Sequence, residues 1–412
     1  VEPDQKLPKV LGVCAVSSRG MKRSQIIDLE QVLETINESL DGAERMAGLE
    51  VKQAYVSVAG SHISSLNSKG VVAVASPDQE ISHEDVARVI EAARAISLPS
   101  DKEIIHVIPN MFKVDSQDGI KDPVGMTGVR LESETHIVTA MSTALRNIEK
   151  CIEDLGIAVS GFVFSGLAAS EVVLSETEKE LGVALVDIGA GSTSVCAFVD
   201  GALVYSVSVP IGARHLTQDI ALGCRLSLDL AEKIKMQLSS EKLNMLKPHP
   251  GESKQEFSKR RKKADEIDLS ELTNGENTEM LSKEDIVEGI MVPRMEEIFS
   301  LISEKLAAQD LLHDIPAGLV LTGGGAESSS IVQVAKDVLK LPARIGKPIE
   351  LTGLTSDIQK PSYATSIGLL FYGKQQGGEA VAHGFSLPSL KFGGPSGKLF
   401  EKIGDLFKSL LP

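Results

Sequence analysis

An α/β fold is predicted for this chain of 412 residues by three features of its sequence. Residues 183–186 are a β-branched, apolar run of the kind buried on both faces of a sheet, and they end in Asp187-Ile-Gly-Ala-Gly-Ser-Thr. Gly318-Leu-Val-Leu-Thr-Gly-Gly-Gly-Ala repeats the pattern, an apolar strand running into consecutive glycines. Amphipathic helices separate such strands, as over 26–47, where Ile26, Leu29, Leu33, Ile36 and Leu40 share one side.

In chain order, residues 9–16 read as a strand and Ser18-Arg-Gly-Met-Lys as a turn. After the first helix, a strand over 54–59 leads to Gly60-Ser-His-Ile and a hairpin through Val71-Val-Ala-Val. Ser82 has the chemistry of a helix N-cap with Asp85 three residues on, a variant capping box, ahead of a helix over 84–95. A strand over 103–109 follows, then a loop punctuated by Pro123 and Gly125, a strand over 136–139 and a helix ending near Leu155. His136 alternates with apolar neighbours and reads as a structural residue at a sheet edge.

The turn after 183–186 carries the first chemistry. Gly189 and Gly191 have no Cβ, so the backbone N–H groups from Gly189 through Ala190 and Gly191 can close round an anion. Ser192 and Thr193 add hydroxyl donors. Asp187, at the strand end, suits a water-mediated contact to Mg²⁺ on a phosphate chain. The chain returns over 194–199, turns tightly at Asp200-Gly201 and runs out again over 202–209. It continues to Pro210-Ile-Gly-Ala-Arg-His, whose Gly212 is grouped with the phosphate turn. Further on, Gly323, Gly324 and Gly325 let a flat ring lie against bare backbone as far as Ala326, with a helix over 329–339 behind them. Between these stretches, Ala231-Glu-Lys-Ile-Lys places Glu232 and Lys235 on one face of a helix, polar enough to reach a ribose.

A phosphate turn, a polar helix and a glycine-rich strand end, in that order, resemble the actin/Hsp70/sugar-kinase superfamily. The resemblance implies an actin-like, two-lobed α/β fold of ribonuclease H-like subdomains round a central nucleotide cleft, with ATP and Mg²⁺ as ligands. Further motifs narrow it: Gly60-Ser-His-Ile, Asp122-Pro-Val-Gly-Met-Thr-Gly-Val-Arg-Leu-Glu, Glu180-Leu-Gly-Val-Ala-Leu-Val-Asp-Ile-Gly, Leu321-Thr-Gly-Gly-Gly-Ala and Tyr363-Ala-Thr-Ser-Ile-Gly-Leu-Leu-Phe-Tyr-Gly. From about residue 9 to 373 the chain is similar to the FtsA family, actin-like proteins that tether the bacterial division ring.

That resemblance implies subdomain 1A over 1–78 and 158–188, an FtsA-type 1C insert over 79–157 and 2A over 189–223. It implies 2B over 224–316 with a mobile loop at 246–281, then a return through 2A and 1A over 317–375. The partners implied are the C-terminal peptide of the tubulin-like FtsZ, a second copy of the chain in a head-to-tail filament, and other division proteins. Arg294, in 2B, is the candidate contact for the acidic peptide. Superfamily members open with an Asp-Ile-Gly-Thr strand–turn–strand, and nothing like it precedes residue 9. Either the chain lacks its true start or it carries half a phosphate clamp, and weak ATP binding is the expectation for the chain as given.

The tail carries a separate signal. Residues 376–395 are glycine-rich and linker-like. Over 396–412, Leu399, Phe400, Ile403, Leu406, Phe407, Leu410 and Leu411 fall at spacings of three and four. Lys398, Glu401, Lys402, Asp405 and Lys408 take the opposite face. An amphipathic helix of this kind lies in the membrane interface; together with it, the resemblance to the FtsA family implies a peripheral protein on the cytoplasmic side of the cell membrane, at the division site.

Composition narrows the classes. A net charge of −15, with four tyrosines and no tryptophan, argues against nucleic acid as a partner. No apolar run reaches the ~20 residues that span a bilayer, and Val1-Glu-Pro-Asp-Gln-Lys-Leu-Pro has no signal-peptide core. Cys14, Cys151, Cys196 and Cys224 are scattered, as thiols of a reducing cytoplasm are. The basic run Ser258-Lys-Arg-Arg-Lys-Lys reads as solvated loop.

Two functions of different class compete. One is a nucleotide-binding adaptor that polymerises and tethers; the other is an ATPase or phosphotransferase of the same fold. Hydrolysis needs a carboxylate or amide to position water, and Phe162-Val-Phe-Ser-Gly-Leu-Ala-Ala-Ser offers only hydroxyls there. No aspartate base faces a sugar pocket, and no substrate β-domain marks a chaperone-like clamp. The adaptor is favoured, with no catalytic residue nominated and turnover slow or absent.

Overall fold

The computed structural model describes residues 8–75, 80–240, 252–272, 280–349, 351–353 and 358–377. The terminal helix expected over 396–412, with its apolar face from Leu399 to Leu411, lies outside the described residues. In chain order, β1 (Lys9–Val10), a small hairpin of β2 (Met21–Lys22) and β3 (Gln25–Ile26), α1 (Leu29–Ala47), β4 (Gln53–Val58) and β5 (Ser64–Ala73) come first. Next are α2 (His83–Arg94), β6 (Lys102–Val114), β7 (Gln117–Ile120), β8 (Arg130–Met141) and α3 (Ser142–Glu153). β9 (Ala158–Phe164) runs into α4 (Ser165–Val173), α5 (Glu176–Leu181) and the meander β10 (Val183–Ile188), β11 (Thr193–Val199) and β12 (Ala202–Val209). Then come α6 (Ala213–Cys224), α7 (Leu228–Ser240), α8 (Lys254–Asp265), β13 (Glu266–Asp268), α9 (Leu269–Leu272), β14 (Met280–Ser282), α10 (Lys283–Ile286) and α11 (Val292–Ala307). β15 (Leu319–Thr322), α12 (Ile331–Leu339), β16 (Ala343–Ile345), β17 (Thr352–Gly353) and α13 (Ala364–Gly377) complete the described chain.

Local chemistry sets these boundaries. Asp28 caps α1 by accepting from the Gln31 amide, and Gly48, left-handed at φ 67°, ends it. The Ser82–Asp85 capping box expected at the start of α2 is formed in both directions.

The site rests on a five-stranded sheet in the order β12-β11-β10-β15-β16. Successive residues of β10 feed different cores. Ala184, Val186 and Ile188 meet the core built with α6, α7, α11 and α12. Val183 and Leu185 meet the one built with α4, β9 and α13. Burial on both faces is why the sequence of β10 is continuously apolar. α4 and α13 approach closely, since a Cβ on Gly368 would lie 1.8 Å from the Ala168 carbonyl oxygen.

The insert is a four-stranded antiparallel sheet, order β5-β8-β6-β7, with α2 across it and a core of Ile81, Val86, Val89, Ile90, Phe112 and Leu131. β5 and β8 pair from Ser64↔Thr139 to Ala73↔Arg130. Three expectations change here. The segment through Val71 is no local hairpin but part of β5, so the insert sheet begins at Ser64, inside the stretch expected as 1A. The strand expected over 103–109 runs to Val114, because register shifts at Ile104/His106 and Pro109/Met111 absorb a proline that cannot donate to the ladder. His136 is fully buried on β8, an interior strand, not at an edge.

The insert meets the five-stranded sheet through polar contacts. Ser65 Oγ donates to the Ser206 carbonyl at 2.7 Å and Asn67 Nδ2 to the Val204 carbonyl at 3.0 Å. His136 bridges the two sheets, its Nδ1 2.7 Å from Asn67 Oδ1 and its Nε2 3.0 Å from Ser206 Oγ. Two other expectations differ. Only Lys9–Val10 of the strand expected over 9–16 is a strand, paired with β17 for two residues. Within the stretch expected as loop over 246–281, residues 254–265 form α8, started by a Ser253–Glu256 capping box. Arg260 pairs there with Glu252 at 2.8 Å and Arg261 with Glu284 at 2.8 Å, which orders the basic run.

Candidate functional site

The parallel pairing of β10 with β15 sets Asp187 beside Thr322, so both glycine-bearing strand ends emerge together. Beyond Asp187 the chain turns tightly, with the Gly189 amide donating to the Ser192 carbonyl at 2.9 Å. The start of α6 holds this turn from outside: the Ala213 and Arg214 amides donate to the Gly189 and Ala190 carbonyls, each at 2.9 Å. Gly212 must lack a side chain, because a Cβ there would lie 2.4 Å from the Gly189 carbonyl oxygen. Thr193 Oγ1 donates to the Ile211 carbonyl at 2.8 Å. The turn is thereby rigid on the α6 side, and Ala190 at its tip is exposed.

Gly323 faces the turn with φ 80°, and a Cβ on it would lie 2.4 Å from Asp187 Oδ1. A Cβ on Gly325 would likewise lie 2.3 Å from the Ile188 side chain. Gly324 to Glu327 form one tight helical turn, so Gly323, Gly324, Gly325 and Ala326 stand directly beside the Asp187 strand end. Glu232 and Lys235 sit on α7 against α6. Lys235 Nζ donates to Glu232 Oε2 at 2.7 Å and to Thr217 Oγ1 at 3.0 Å. Thr217 lies one helical turn along α6 from Gly212, so α6 ties this pair to the phosphate turn. Burial raises the Glu232 pKa, but the hydrogen bonds from Lys235 and Thr217 outweigh it and the net shift is downward.

Asp187 is buried, and burial raises its pKa, opposed by hydrogen bonds from Thr365 and Ser165. Thr365, on α13, donates to Asp187 Oδ2 at 3.2 Å. Ser165 opens α4, and its Oγ lies 2.9 Å from Ser194 Oγ; Ser194 Oγ lies 3.5 Å from Ser208 Oγ, which accepts the Gly60 amide at 3.0 Å. The site's acid is thus the first member of a hydroxyl chain reaching the residue before the insert. Sequence reading missed Thr365, Ser194 and Ser208. The signal was a serine or threonine at each strand or helix end abutting Asp187, legible only once those ends are known to converge. No group of three potential ligands for a metal occurs among the described residues. A lone buried carboxylate at the mouth of an anion turn fits Mg²⁺, which takes one or two carboxylates and completes its shell with water and phosphate oxygens.

Arg294, expected to contact an acidic peptide, is engaged within the chain. Its guanidinium pairs with both Asp219 oxygens, at 3.0 Å for Nη2 to Oδ1, and with Glu297. These contacts raise its pKa, that with Asp219 most.

A sheet flanked by two apolar cores, with glycine turns at one end of its central strands, defines an actin-like fold. The solved PilM–PilN type IV pilus biogenesis complex contains a chain that matches this one with a TM-score of 0.55 and 15% identity, covering 87% of this chain and 89% of that one. Residues 60–139 match the family described as "SHS2 domain inserted in FTSA", and residues 184–368 match "Cell division protein FtsA". Cell division protein FtsA of Pseudomonas aeruginosa is 34% identical over 395 residues, covering 96% of this chain and 90% of that protein. The Bacillus subtilis protein is 36% identical over 362 residues (88% and 77%), and that of Escherichia coli K12 33% over 373 residues (89% and 84%). This chain belongs to the FtsA family of cell division proteins.

Proposed function

We propose that the chain is an ATP-binding division protein that polymerises and ties FtsZ filaments to the cytoplasmic face of the cell membrane. The observation that carries the nucleotide part is the convergence of the 189–193 turn, the Asp187 carboxylate and Gly323–Ala326 at one end of the sheet. The phosphates rest on Gly189 to Thr193 and Gly212, with Asp187 reaching Mg²⁺ through water. The adenine lies against Gly323 to Ala326, and the ribose near Glu232 and Lys235. Ser165, where hydrolysis would require a carboxylate or amide, supports slow turnover.

Self-association runs head to tail, the insert of one copy meeting the 2B region of the next, a contact that propagates instead of closing. In 2B, Arg294 is the candidate for FtsZ's acidic peptide, which would compete with Asp219 and Glu297 for the guanidinium. The tail supplies the anchor: three lysines against Glu401 and Asp405 give it little net charge, so apolar contact dominates. No helix among the described residues is long and apolar enough to cross a membrane.

Vesicle sedimentation of the full chain, of Phe400→Glu/Phe407→Glu and of a chain stopped at Gly394 tests the anchor. The parent should pellet and the other two remain in solution; equal pelleting of all three sinks the assignment.

A further inference from the structure

Asp187 is held by two helices that are locked to one another. Ser165, the first residue of α4, and Thr365, the second of α13, both hydrogen-bond its carboxylate. One helical turn further on, Gly368 of α13 presses on the Ala168 carbonyl of α4. The two hydroxyls therefore keep a fixed spacing. Thr365 Oγ1 takes Oδ2, at 3.2 Å. The other oxygen, Oδ1, lies over Gly323, where an added Cβ would stand 2.4 Å from it.

A helical threonine ordinarily turns its hydroxyl to the carbonyl three or four residues back. For Thr365 the carbonyl four residues back is that of Pro361, and it is already engaged. It accepts the Ala364 amide, the Gly323 amide at 3.1 Å and Thr322 Oγ1 at 3.3 Å. Thr365 reaches across to the carboxylate instead, and since an ionised carboxylate only accepts, the threonine donates. Its neighbours Ala364 and Ile367 fill the apolar core shared with α4, whereas Thr365 is half-buried and turns to the site. Residues 361–365 thus grip both strand ends, β15 through the Pro361 carbonyl and β10 through the Thr365 hydroxyl.

We propose that Thr365 is a positioning residue for the metal side of the nucleotide site. An aspartate turns easily about its last bond, because that torsion is broad. With Oδ2 tied to Thr365, Oδ1 stays on the Gly323 side, between the two glycine-bearing strand ends. The carboxylate is then already ordered for a water-mediated contact to Mg²⁺ and loses no freedom in making it. Partners that orient a metal-facing carboxylate are worth about ten- to a hundredfold in metal affinity. The proposal rests on the nucleotide reading above and adds to it the residue that aims the site's acid.

Calorimetric titration of the full chain with ATP, in excess Mg²⁺ and in EDTA, tests it with the parent, Thr365→Val, Thr365→Ser and Asp187→Asn. Thr365→Val keeps the shape of the side chain and loses the hydroxyl. It should bind ATP about tenfold more weakly than the parent in Mg²⁺ and within about twofold of it in EDTA. Thr365→Ser, which restores the donor, should recover most of the loss. Should Thr365→Val fail to fold, Thr365→Ala repeats the comparison. Equal weakening in both buffers marks a packing role and overturns the proposal, as does a variant that matches the parent in Mg²⁺; in either case the nucleotide reading stands. If the parent gains no affinity from Mg²⁺, or Asp187→Asn keeps that gain, the acid does not serve the metal and the positioning role falls. If the parent binds no ATP in either buffer, the nucleotide reading itself falls and the positioning role with it.

Discussion

Acidification from pH 7 to pH 4.5 should remove about 5 kcal/mol of folding stability through two histidines of the insert sheet. Burial pushes His106 down to about 3, with His136 adding to the shift, and pushes His136 itself down to about 4. Both rings are therefore neutral in the folded chain across this range, whereas in the unfolded chain they titrate near 6.5. Because the folded pKa is depressed, the stability is complete above the unfolded value and drains as the pH falls, since only the unfolded chain takes up protons. Each ring contributes a slope of about 1.4 kcal/mol per pH unit in that window. His62, buried with neither ring nitrogen hydrogen-bonded, is lowered by burial and adds in the same direction. The geometry shows why protonation is opposed: His106 Nε2 accepts the Phe164 amide at 2.9 Å, and a protonated ring would turn a second donor toward it. Glu178 acts lower on the scale. The Arg344 guanidinium holds it at about 2, so its contribution is present above its unfolded value of 4.5 and drains only below that. Urea titrations at pH 7, 6, 5 and 4.5 read the slope. His106→Gln retains an acceptor for the Phe164 amide and should flatten the slope by about one proton. A stability unchanged between pH 6.5 and 5 would refute neutral burial of these rings.

Two substitutions test the packing round the site. Gly368→Ala puts a Cβ 1.8 Å from the Ala168 carbonyl oxygen, so α4 and α13 must separate. A loss of about 1–3 kcal/mol is expected by thermal melting, and an unchanged melting temperature would show that the two helices are not locked together. Gly323→Ala meets both a positive φ and the Asp187 carboxylate 2.4 Å away. It should cost about 1–2 kcal/mol and weaken Mg-ATP more than adenosine. Equal weakening of both ligands would argue that Gly323 does not act through Asp187.

The sheet of the site was legible because its strands carry strong local signals. Residues 183–186 are β-branched and apolar and run straight into glycines, which reads as a buried strand, and Asp200-Gly201 marks its own hairpin. The Ser82–Asp85 cap likewise depends on residues three apart. What escaped depends on partners distant in sequence. His136 alternates with apolar neighbours whether its strand is central or at an edge, and only the pairing of β8 with both β5 and β6 decides. β6 was cut short because two bulges break its alternation near Pro109. The Arg23–Ser24 turn between β2 and β3 contains neither glycine nor asparagine, so its type cannot be read from composition; its contact with Gly191, where a Cβ would lie 3.1 Å from Arg23 Cα, spans the whole first half of the fold. Ser165 was noticed only as a hydroxyl, and its attachment to Asp187 required knowing that α4 begins beside β10.

The register of β5 with β8 has a mechanical consequence. The chain passes into the insert at Ser64 and out of it at Thr139, and these residues are cross-strand partners whose hydroxyls lie 3.0 Å apart. Lys102 Nζ, donating to Ser64 Oγ at 2.7 Å, fastens the same corner from a third strand. Entry and exit thus share one doorway, and a pull on the far end of the insert loads both strands through a single pivot. Antiparallel strands pulled from such a corner peel one rung at a time, whereas pulled along their length they shear all at once. The insert should therefore withstand tension along β5 and β8 far better than a sideways tug at Ser64 and Thr139. A neighbour gripping its tip would swing it as a lever before unravelling it.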